Sequence, residues 1–283
     1  MVEPGRAGPA DPSGPIAPEP GAFTPTPGAA APGPSATTSK PIASTPEPVA
    51  ATPNPHATTQ ALLRRLLQLL VLVGVQAVIL FASAGSLAWP AGWVYVGLYA
   101  GLAAVGAIIL LPHHRDVVVE RSRGTAGGKR WDFWITRLLI LTTVAVLGTA
   151  GLDERWGWPP DLPMPLRVLA VAVFALGYAV TLWAMMANAY FSQTVRIQAE
   201  RRHTVVTDGP YAYVRHPGYV GMLTSMVAAC VLLGSLWALA AWVLYLAVMV
   251  VRTALEDRTL HAELPGYADY ARRTRYRLVP LVW

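Results

Sequence analysis

Long uncharged apolar intervals, separated by short charged segments, make up most of the chain. Between Arg65 and Arg115 no residue is charged at neutral pH, and this interval can hold two membrane helices of ~20 residues each. We expect Trp89–Gly92 (WPAG) to form the turn between them. A third helix is predicted from about Trp134 to Leu152, and a fourth from about Leu166 to Phe191.

The last apolar interval, Pro217 to Val251, is interrupted at Leu233–Ser235 (LGS), which predicts a hairpin of two helices. Proline is favoured at the first helical position, and the residue before it is pushed out of helical geometry, so the first arm should begin at Pro217. The pattern predicts an all-α fold. We expect a polytopic membrane helix bundle of about six transmembrane helices with a cytoplasmic C-terminal helix.

The first 59 residues differ in composition from the rest. They hold 15 of the 25 prolines, together with many Ala, Thr and Ser residues, and contain no apolar run that could build a core. We expect residues 1–59 to be a disordered Pro/Ala/Thr-rich tail and residues 60–283 to be the integral-membrane domain. The amino terminus also lacks the pattern of a cleavable secretory signal.

Composition and charge agree with a membrane protein. Of 283 residues, 54% are hydrophobic and only 13% are charged, too few to cover a soluble globule. The net charge of +6 comes without a nucleic-acid-binding motif, so we expect no nucleic-acid partner. If alternate loops lie on opposite sides, 18 of the 22 Lys and Arg residues share one side, which the positive-inside rule makes cytoplasmic.

Several isolated residues have structural interpretations. Cys230 is the single cysteine and lies in an apolar run, so we expect a small buried hydrophobe. His113 and His114 have no further ligands at metal spacing, and we expect no metal site. An aromatic belt at the side opposite the basic residues explains a set of residues near predicted helix ends, namely Trp89, Trp93, Tyr95, Trp156 and Trp158.

Polar residues concentrate where the last two predicted helices meet the basic side. Both arms of the hairpin are 17 residues long, so Arg252 and Glu256 return beside Arg215 and His216. Arg252 and Glu256 are four residues apart on one helical face, which suits a salt bridge or a joint hold on one ligand. Ionisable groups near membrane depth are costly, so their convergence indicates a site. Asn188 is a weaker candidate, for interhelical hydrogen bonding or for the site.

Two segments carry a family resemblance: HTVVTDGPYAYVRHPGYVG (203–221) and RTALEDRTLHAELPGYADYARRTRYRLVP (252–280). They resemble the integral-membrane isoprenylcysteine carboxyl methyltransferases and their bacterial relatives, which share features with phospholipid N-methyltransferases. The matching part runs from about Asn188 to Pro280. Two departures stand out: Glu256–Asp257 replaces a Glu-Glu pair, and Leu264–Gly266 (LPG) replaces Phe-Gly, with one residue fewer before the paired tyrosines. A family glutamine aligns with Arg196, with Gln198 two residues away, and we assign neither.

The resemblance implies S-adenosylmethionine as cofactor, bound by the cytoplasmic ends of the last helices and the tail that follows. The catalytic candidates are Arg215, Arg252 and Glu256, with Arg252 facing the substrate. The implied cofactor contacts are His203, Thr204, Val205, Val206, Tyr211, His216, Pro217, Gly218, Tyr219 and Glu256. The implied function is methyl transfer to a lipophilic carboxylate, amine or thiol at the cytoplasmic face of a bacterial inner membrane. Residues 188–283 would form the catalytic part.

Two other functions stay open from the sequence. A membrane NADPH-dependent reductase of the sterol or steroid type has a related helix arrangement and needs no GxGxxG loop. A non-catalytic scaffold would work through the proline-rich tail. Binding of S-adenosylmethionine or NADPH separates the two enzymes, and deletion of residues 1–59 tests the scaffold. We expect membrane lipids and a lipid-like acceptor as partners.

Overall fold

The computed structural model describes residues 55–124, 126–158, 160 and 162–283. Within them the secondary structure consists of eight α-helices and two 3-10 turns, which confirms the all-α prediction. The helices are α1 (Pro55–Ala84), α2 (Pro90–His113), α3 (Arg115–Ser122), α4 (Arg130–Trp156), α5 (Met164–Ala187), α6 (Pro217–Leu233), α7 (Leu236–Glu263) and α8 (Tyr267–Arg273). Residues 1–54 of the expected tail lie outside the described residues. Helix α1 begins at Pro55, before the expected end of the tail at residue 59.

Five helices are long and apolar enough to cross a membrane: α1 from Leu62, α2, α4, α5 and α7. Helix α6 is also apolar but has only 17 residues, or about 25 Å at ~1.5 Å per residue. It is shorter than the ~30 Å hydrocarbon core of a bilayer. The prediction of a polytopic membrane bundle is therefore confirmed, with five long spans and one shorter apolar helix.

The predicted hairpin is formed by α6 and α7. Gly234 ends α6 in the left-handed conformation (φ 75°), which glycine adopts without steric cost. Ser235 then caps α7, because its hydroxyl accepts a hydrogen bond from the Ala238 amide at 2.8 Å. The Ser235 hydroxyl also donates to Asp153 near the end of α4. As predicted, α6 begins at Pro217, so the hairpin returns α7 to the end of the bundle where α6 started.

Helices α5 and α6 are in close contact through glycines. A Cβ atom at Gly177 would lie 2.7 Å from the carbonyl oxygen of Gly221, so the two backbones touch. Thr181 and Ser225 add hydrogen bonds from their hydroxyls to backbone carbonyls of the facing helix, at 3.4 and 3.1 Å. Small residues allow such close helix packing in membranes. This contact fixes the start of α6 beside the end of α5.

Several helix limits differ from the sequence predictions, and one helix was not predicted. Helix α4 (Arg130–Trp156) extends beyond the predicted Trp134–Leu152 at both ends. The turn between α1 and α2 was predicted at Trp89–Gly92 but lies before Pro90, because this proline is the first residue of α2 and Trp89 is its N-cap. Helix α5 ends at Ala187 rather than near Phe191, because Asn188 takes an extended conformation. Helix α3 was not predicted: its eight residues are mostly polar and lack the apolar length by which the other helices are recognised.

The aromatic-belt interpretation is wrong for two of its five residues. Trp89 and Tyr95 are 3% and 2% exposed and belong to the main apolar core. The Tyr95 hydroxyl donates to Gln76 inside that core, which accounts for a tyrosine at a buried position. Trp93, Trp156 and Trp158 are more than half exposed, as a belt requires. Cys230 is fully buried, as predicted.

Candidate functional site

A pocket lies at the end of the bundle where α5 and α7 end and α6 begins; we call this the basic end. The segment between α5 and α6 and the short helix α8 supply the rest of its wall. Its lining includes eleven of the twelve residues singled out from the sequence: His203, Thr204, Val205, Val206, Tyr211, Arg215, His216, Gly218, Tyr219, Arg252 and Glu256. The twelfth, Pro217, is fully buried and begins α6. Its neighbours in the sequence, His216 and Gly218, both line the pocket.

The segment after α5 is shaped by hydrogen bonds around Asn188. The Asn188 amide donates to the Tyr211 hydroxyl at 3.1 Å, and its side-chain oxygen accepts from the Tyr190 amide at 2.9 Å. Asn188 and Tyr190 both line the pocket. The polar contacts of Asn188 therefore lie within the loop segment that forms this wall and do not join two membrane helices.

The structure separates the two residues that were left unassigned. Arg196 lines the pocket, and its guanidinium donates to both Glu120 carboxylate oxygens at 2.8 to 2.9 Å and pairs with Glu200 at 2.8 Å. Gln198 is fully buried outside the lining, where its amide donates to the Tyr190 carbonyl at 2.7 Å. Gln198 thus stabilises the segment between α5 and α6 through Tyr190. Arg196 faces the pocket, but its guanidinium is paired with Glu120 and Glu200.

Three groups with different chemistry meet on one side of the pocket. The Glu256 carboxylate accepts a hydrogen bond from the Tyr219 hydroxyl. The His216 ring stacks on Tyr219 with 5.6 Å between ring centres and an angle of 4°. Among the described residues, His216 Nε2 has no partner within hydrogen-bond geometry, and it lies 3.6 Å from the nearest Asp257 oxygen. A carboxylate, a phenol and an imidazole thus lie together on this side of the pocket.

Arg252 is held by Asp132, a residue that sequence reasoning missed. Arg252 Nε donates to Asp132 Oδ1 at 2.9 Å, and Nη2 donates to the Gln193 carbonyl at 2.9 Å. Asp132 is fully buried and also accepts from the Thr194 hydroxyl and the Val195 amide, at 2.7 and 2.8 Å. A lone acid just inside a membrane helix could have signalled this role. The basic residues around it made the segment resemble a loop.

The neighbouring acids Glu256 and Asp257 take different roles. Asp257 is buried, pairs with Arg215 and Arg277 at 3.0 and 2.9 Å, and accepts from the Tyr267 hydroxyl at 2.9 Å. The residue after Arg215, His216, donates its backbone amide to the Arg277 carbonyl at 3.0 Å. Asp257 therefore ties the C-terminal segment to the start of α6. Arg215 lines the pocket, but its guanidinium forms an ion pair with Asp257.

Helix α8 closes the pocket despite the shortened LPG segment. Gly266 precedes it with φ 82°, a conformation that favours glycine. The next turn directs Tyr267 and Tyr270 into the lining, and the Tyr270 hydroxyl donates to the Tyr211 carbonyl at 2.8 Å. Burial, followed by the negative charge of Asp257, raises the pKa of Tyr267 well above its usual value. Tyr267 therefore stays protonated and acts as a donor.

His203 is a pocket histidine whose surroundings disfavour its charged form. Its ring stacks on Tyr190 with 4.2 Å between ring centres, and Nδ1 accepts from the Gln198 amide at 3.3 Å. Burial, followed by the nearby charges of Arg201 and Arg196, lowers the pKa of His203 to about 4. His203 is therefore neutral at physiological pH and does not add to the positive charge of the pocket.

Comparison with known proteins agrees with the resemblance carried by the two sequence segments. Residues 169–262 match the isoprenylcysteine carboxyl methyltransferase (ICMT) family. The resemblance to the ICMT family is thereby confirmed for this part of the chain. The matched ICMT segment begins within α5 and ends within α7, so it contains the pocket walls from Asn188 to Leu260 but not α8.

Two relatives match over part of their length. The "Cobalt-zinc-cadmium resistance protein CzcN" of Cupriavidus metallidurans is 34% identical over 126 residues, which are 43% of this chain and 52% of that protein. The "Protein-S-isoprenylcysteine O-methyltransferase" of Schizosaccharomyces pombe is 40% identical over 67 residues, 23% of this chain and 28% of that enzyme. The chain thus spans about half of the first relative and less of the second. In the part of the chain that the structure describes, no group of three or more His, Cys, Asp or Glu residues could hold a metal ion.

Proposed function

We propose that this protein is an S-adenosylmethionine-dependent methyltransferase that acts on a lipophilic acceptor within the membrane. The observation that carries the proposal is the composition of the pocket. A Glu256 carboxylate, a set of aromatic rings and several arginines meet in one cavity, and most of its lining lies in the segment that matches the ICMT family. The S. pombe relative bears the name of an O-methyltransferase, which supports the same reaction class.

The residues of the pocket fit the chemistry of this cofactor. Carboxylates and aromatic faces stabilise a cation such as a sulfonium, and hydrogen-bond donors suit a carboxylate. His216 Nε2 is buried and lies 3.6 Å from the nearest Asp257 oxygen, beyond hydrogen-bond distance, so a ligand atom could also contact it. A Cβ atom at Gly218 would lie 2.7 Å from the Phe191 ring, so glycine lets this aromatic wall pack against α6. Bound S-adenosylmethionine would supply an electrophilic methyl group.

Each of these side chains would have a separate role in the reaction. Glu256, oriented by Tyr219, holds the positive part of the cofactor, and the aromatic residues of α8 exclude water. Arg252 is fixed by Asp132 through Nε and Nη2, which leaves Nη1 for the acceptor. We assign Arg215 to positioning, because its guanidinium pairs with Asp257 and its backbone leads into His216.

Helix lengths support a lipophilic acceptor. Helix α6 is about 25 Å long at ~1.5 Å per residue, so its first residues lie slightly below the headgroups if its other end reaches the interface. An acceptor with an apolar tail could therefore enter the pocket from the bilayer. The positive-inside rule assigns the basic end to the cytoplasm, and we propose a bacterial inner membrane as the location.

Cofactor binding tests the proposal directly. We expect S-adenosylmethionine to raise the unfolding temperature of the detergent-purified protein, because a ligand that binds only the folded state stabilises it. NADPH serves as the comparison for the reductase alternative. Stabilisation by NADPH and not by S-adenosylmethionine would mean that the proposed function is wrong. The acceptor can be sought by mass spectrometry of cell extracts, as a lipid that gains one CH2 unit when the protein is present.

Replacement of Glu256 by Gln tests the role of the carboxylate. The amide keeps the shape and loses the charge, so we expect affinity for S-adenosylmethionine to fall about tenfold or more, equivalent to the ~1.5–3 kcal/mol of a charged hydrogen bond. Glu263→Gln is the matched control, because Glu263 lies on the same helix in an exposed pair with Lys129. Calorimetric titration of both variants measures the difference. Equal affinity in a folded Glu256→Gln protein contradicts the assignment.

A further inference from the structure

A second basic cluster lies beside the pocket, and the proposed reaction does not use it. Arg121, in the last turn of α3, interacts electrostatically with Arg65 of α1 and with the hydroxyls of Tyr99 and Tyr178, from α2 and α5. Arg121 also lies over the Phe191 ring, 5.4 Å from its centre. Gln68 of α1 accepts a hydrogen bond from Arg65 and donates one to the Ser122 carbonyl at 3.1 Å, so Arg65 and Arg121 lie close together where α1 packs against the end of α3.

These arginines lack a counter-charge within the described residues. Arg121 has no ion pair there, and its Nε is buried without a hydrogen-bond partner. The hydrogen bond of the Arg65 guanidinium, at 3.4 Å, is to the neutral side chain of Gln68. The acids of α3 are used elsewhere: Glu120 binds Arg196 and Arg123, and Asp116 binds Arg201. A partly buried cation without an anion is costly in a membrane protein.

The electrostatics of Arg121 reflect this arrangement. Burial, followed by the like charge of Arg65, lowers the pKa of Arg121 to about 9. Arg252 also acts on it unfavourably, although Asp132 pairs with that arginine. An anion held between Arg65 and Arg121 would remove the repulsion and satisfy the Nε donor.

The surroundings define the kind of anion. Leu62, one turn before Arg65, and Val118, one turn before Arg121, belong to an apolar cluster with Leu110 and Leu182. The outer face of α1 next to Arg65 is apolar and exposed, with Leu66 and Leu67 at 52% and 61%. The site is therefore polar at its centre and apolar around it, and both arginines keep some exposure. Basic sites between membrane helices of this kind hold acidic lipid headgroups.

We propose that Arg65 and Arg121 bind the phosphate group of an anionic membrane lipid. The lipid would join α1 and α3 at the basic end and would stabilise the wall that carries Phe191. This site is separate from Glu256 and His216, and the proposal does not depend on methyl transfer.

The test uses the full-length protein, purified in detergent and depleted of lipid. We compare phosphatidylglycerol, phosphatidylcholine and inorganic phosphate as ligands, by unfolding temperature and by native mass spectrometry. Phosphatidylglycerol should bind and raise the unfolding temperature, whereas zwitterionic phosphatidylcholine and inorganic phosphate should have little effect. Equal effects of the two lipids, or a full effect of inorganic phosphate, would overturn the assignment to an anionic lipid.

Variants locate the site. Arg65→Gln/Arg121→Gln should bind phosphatidylglycerol at least about tenfold more weakly, because two charged hydrogen-bond donors are lost. Arg64→Gln/Arg123→Gln changes the net charge equally at two exposed neighbours and should bind as the wild type does. Should the first variant not fold, Arg65→Lys/Arg121→Gln and Arg65→Gln/Arg121→Lys each keep one charge and should give intermediate affinities. Wild-type affinity in any folded variant without Arg121 would refute the proposal.

Discussion

At the scale of single residues, buried charge pairs organise the pocket. Arg252, Arg215 and Arg196 all line it, and each is fixed by a carboxylate from another segment. Asp132 accepts hydrogen bonds from three kinds of donor: a side-chain guanidinium, a hydroxyl and a backbone amide. Removal of one member of a buried pair leaves an uncompensated charge, which is more costly than loss of the pair.

Asp132→Asn should therefore destabilise the protein strongly. The amide keeps the shape but leaves Arg252 without its counter-charge, and we expect a loss of about 3–5 kcal/mol in the free energy of unfolding. Asp269→Asn is the control, since the exposed Asp269–Arg272 pair should contribute only about 0–1 kcal/mol. Chemical unfolding in detergent micelles compares the two. A small effect of Asp132→Asn would show that Arg252 is compensated by another group.

His203 should make stability depend on pH. Its pKa is about 4 in the folded protein, against an ordinary histidine value of 6.5 in an unfolded chain. As the pH falls from 6.5 to 4, the unfolded chain therefore takes up a proton that the folded protein excludes, and stability decreases. His203→Asn should have a shallower decrease of unfolding temperature between pH 7 and 5, whereas His113→Asn, at an exposed site, should keep the wild-type slope. Parallel slopes in all three proteins would contradict the shift.

At the scale of helices, the contact between α5 and α6 positions the pocket. Asn188 follows α5 directly and His216 precedes α6, so both pocket walls extend from this helix pair. Gly177 and Gly221 hold the two helices at backbone contact. A change in their separation would move both walls.

Gly177→Ala tests this contact. The added methyl group would meet the Gly221 carbonyl and the Ser225 amide at 2.7 Å, and backbone atoms cannot move aside without separation of the helices. We expect a loss of about 1–3 kcal/mol, as for other overpacked cores, together with weaker cofactor binding. Gly148→Ala in α4 is the control, because no atom lies within 4 Å of its Cβ position. Equal stability of the two variants would argue against the contact as a constraint.

At the scale of the whole molecule, most of the basic residues and the candidate pocket are located at the same end. The pocket, α3, α8 and the Arg65–Arg121 cluster all lie at the basic end, while Asp153 and Ser235 meet at the other. If that end faces the cytoplasm, a soluble cofactor and a membrane-bound acceptor approach the pocket from different directions. The topology of the bundle is thus a condition of the proposed reaction.

Cysteine labelling tests the topology. Ser86 and Thr207 are exposed at opposite ends of the bundle, and the natural Cys230 is fully buried. In a Cys230→Ala background, Ser86→Cys should react with a membrane-impermeant maleimide in intact cells, and Thr207→Cys only after permeabilisation. Labelling of both positions from the same side would contradict the assigned number of crossings.

The sequence by itself determined the long apolar helices, their alternation and the segments that line the pocket. Backbone polar groups must be satisfied within each span in lipid, so uncharged intervals translate directly into helices, and Pro217 and Gly234 mark ends by their own backbone preferences. The equal lengths of the two hairpin arms also predicted that Arg252 and Glu256 lie near His216, and all three residues line the pocket.

Only the tertiary structure decided the partners of these residues. Asp132 and Arg252 are 120 positions apart and meet because α4 packs against α7, which no local pattern records. The same holds for the different orientations of Glu256 and Asp257, for the burial of Trp89, and for the lack of a counter-charge to Arg121 among the residues that the structure describes. A sequence pattern predicts which residues share one face of a helix. Only the packing of several helices determines which side chains of other helices contact that face.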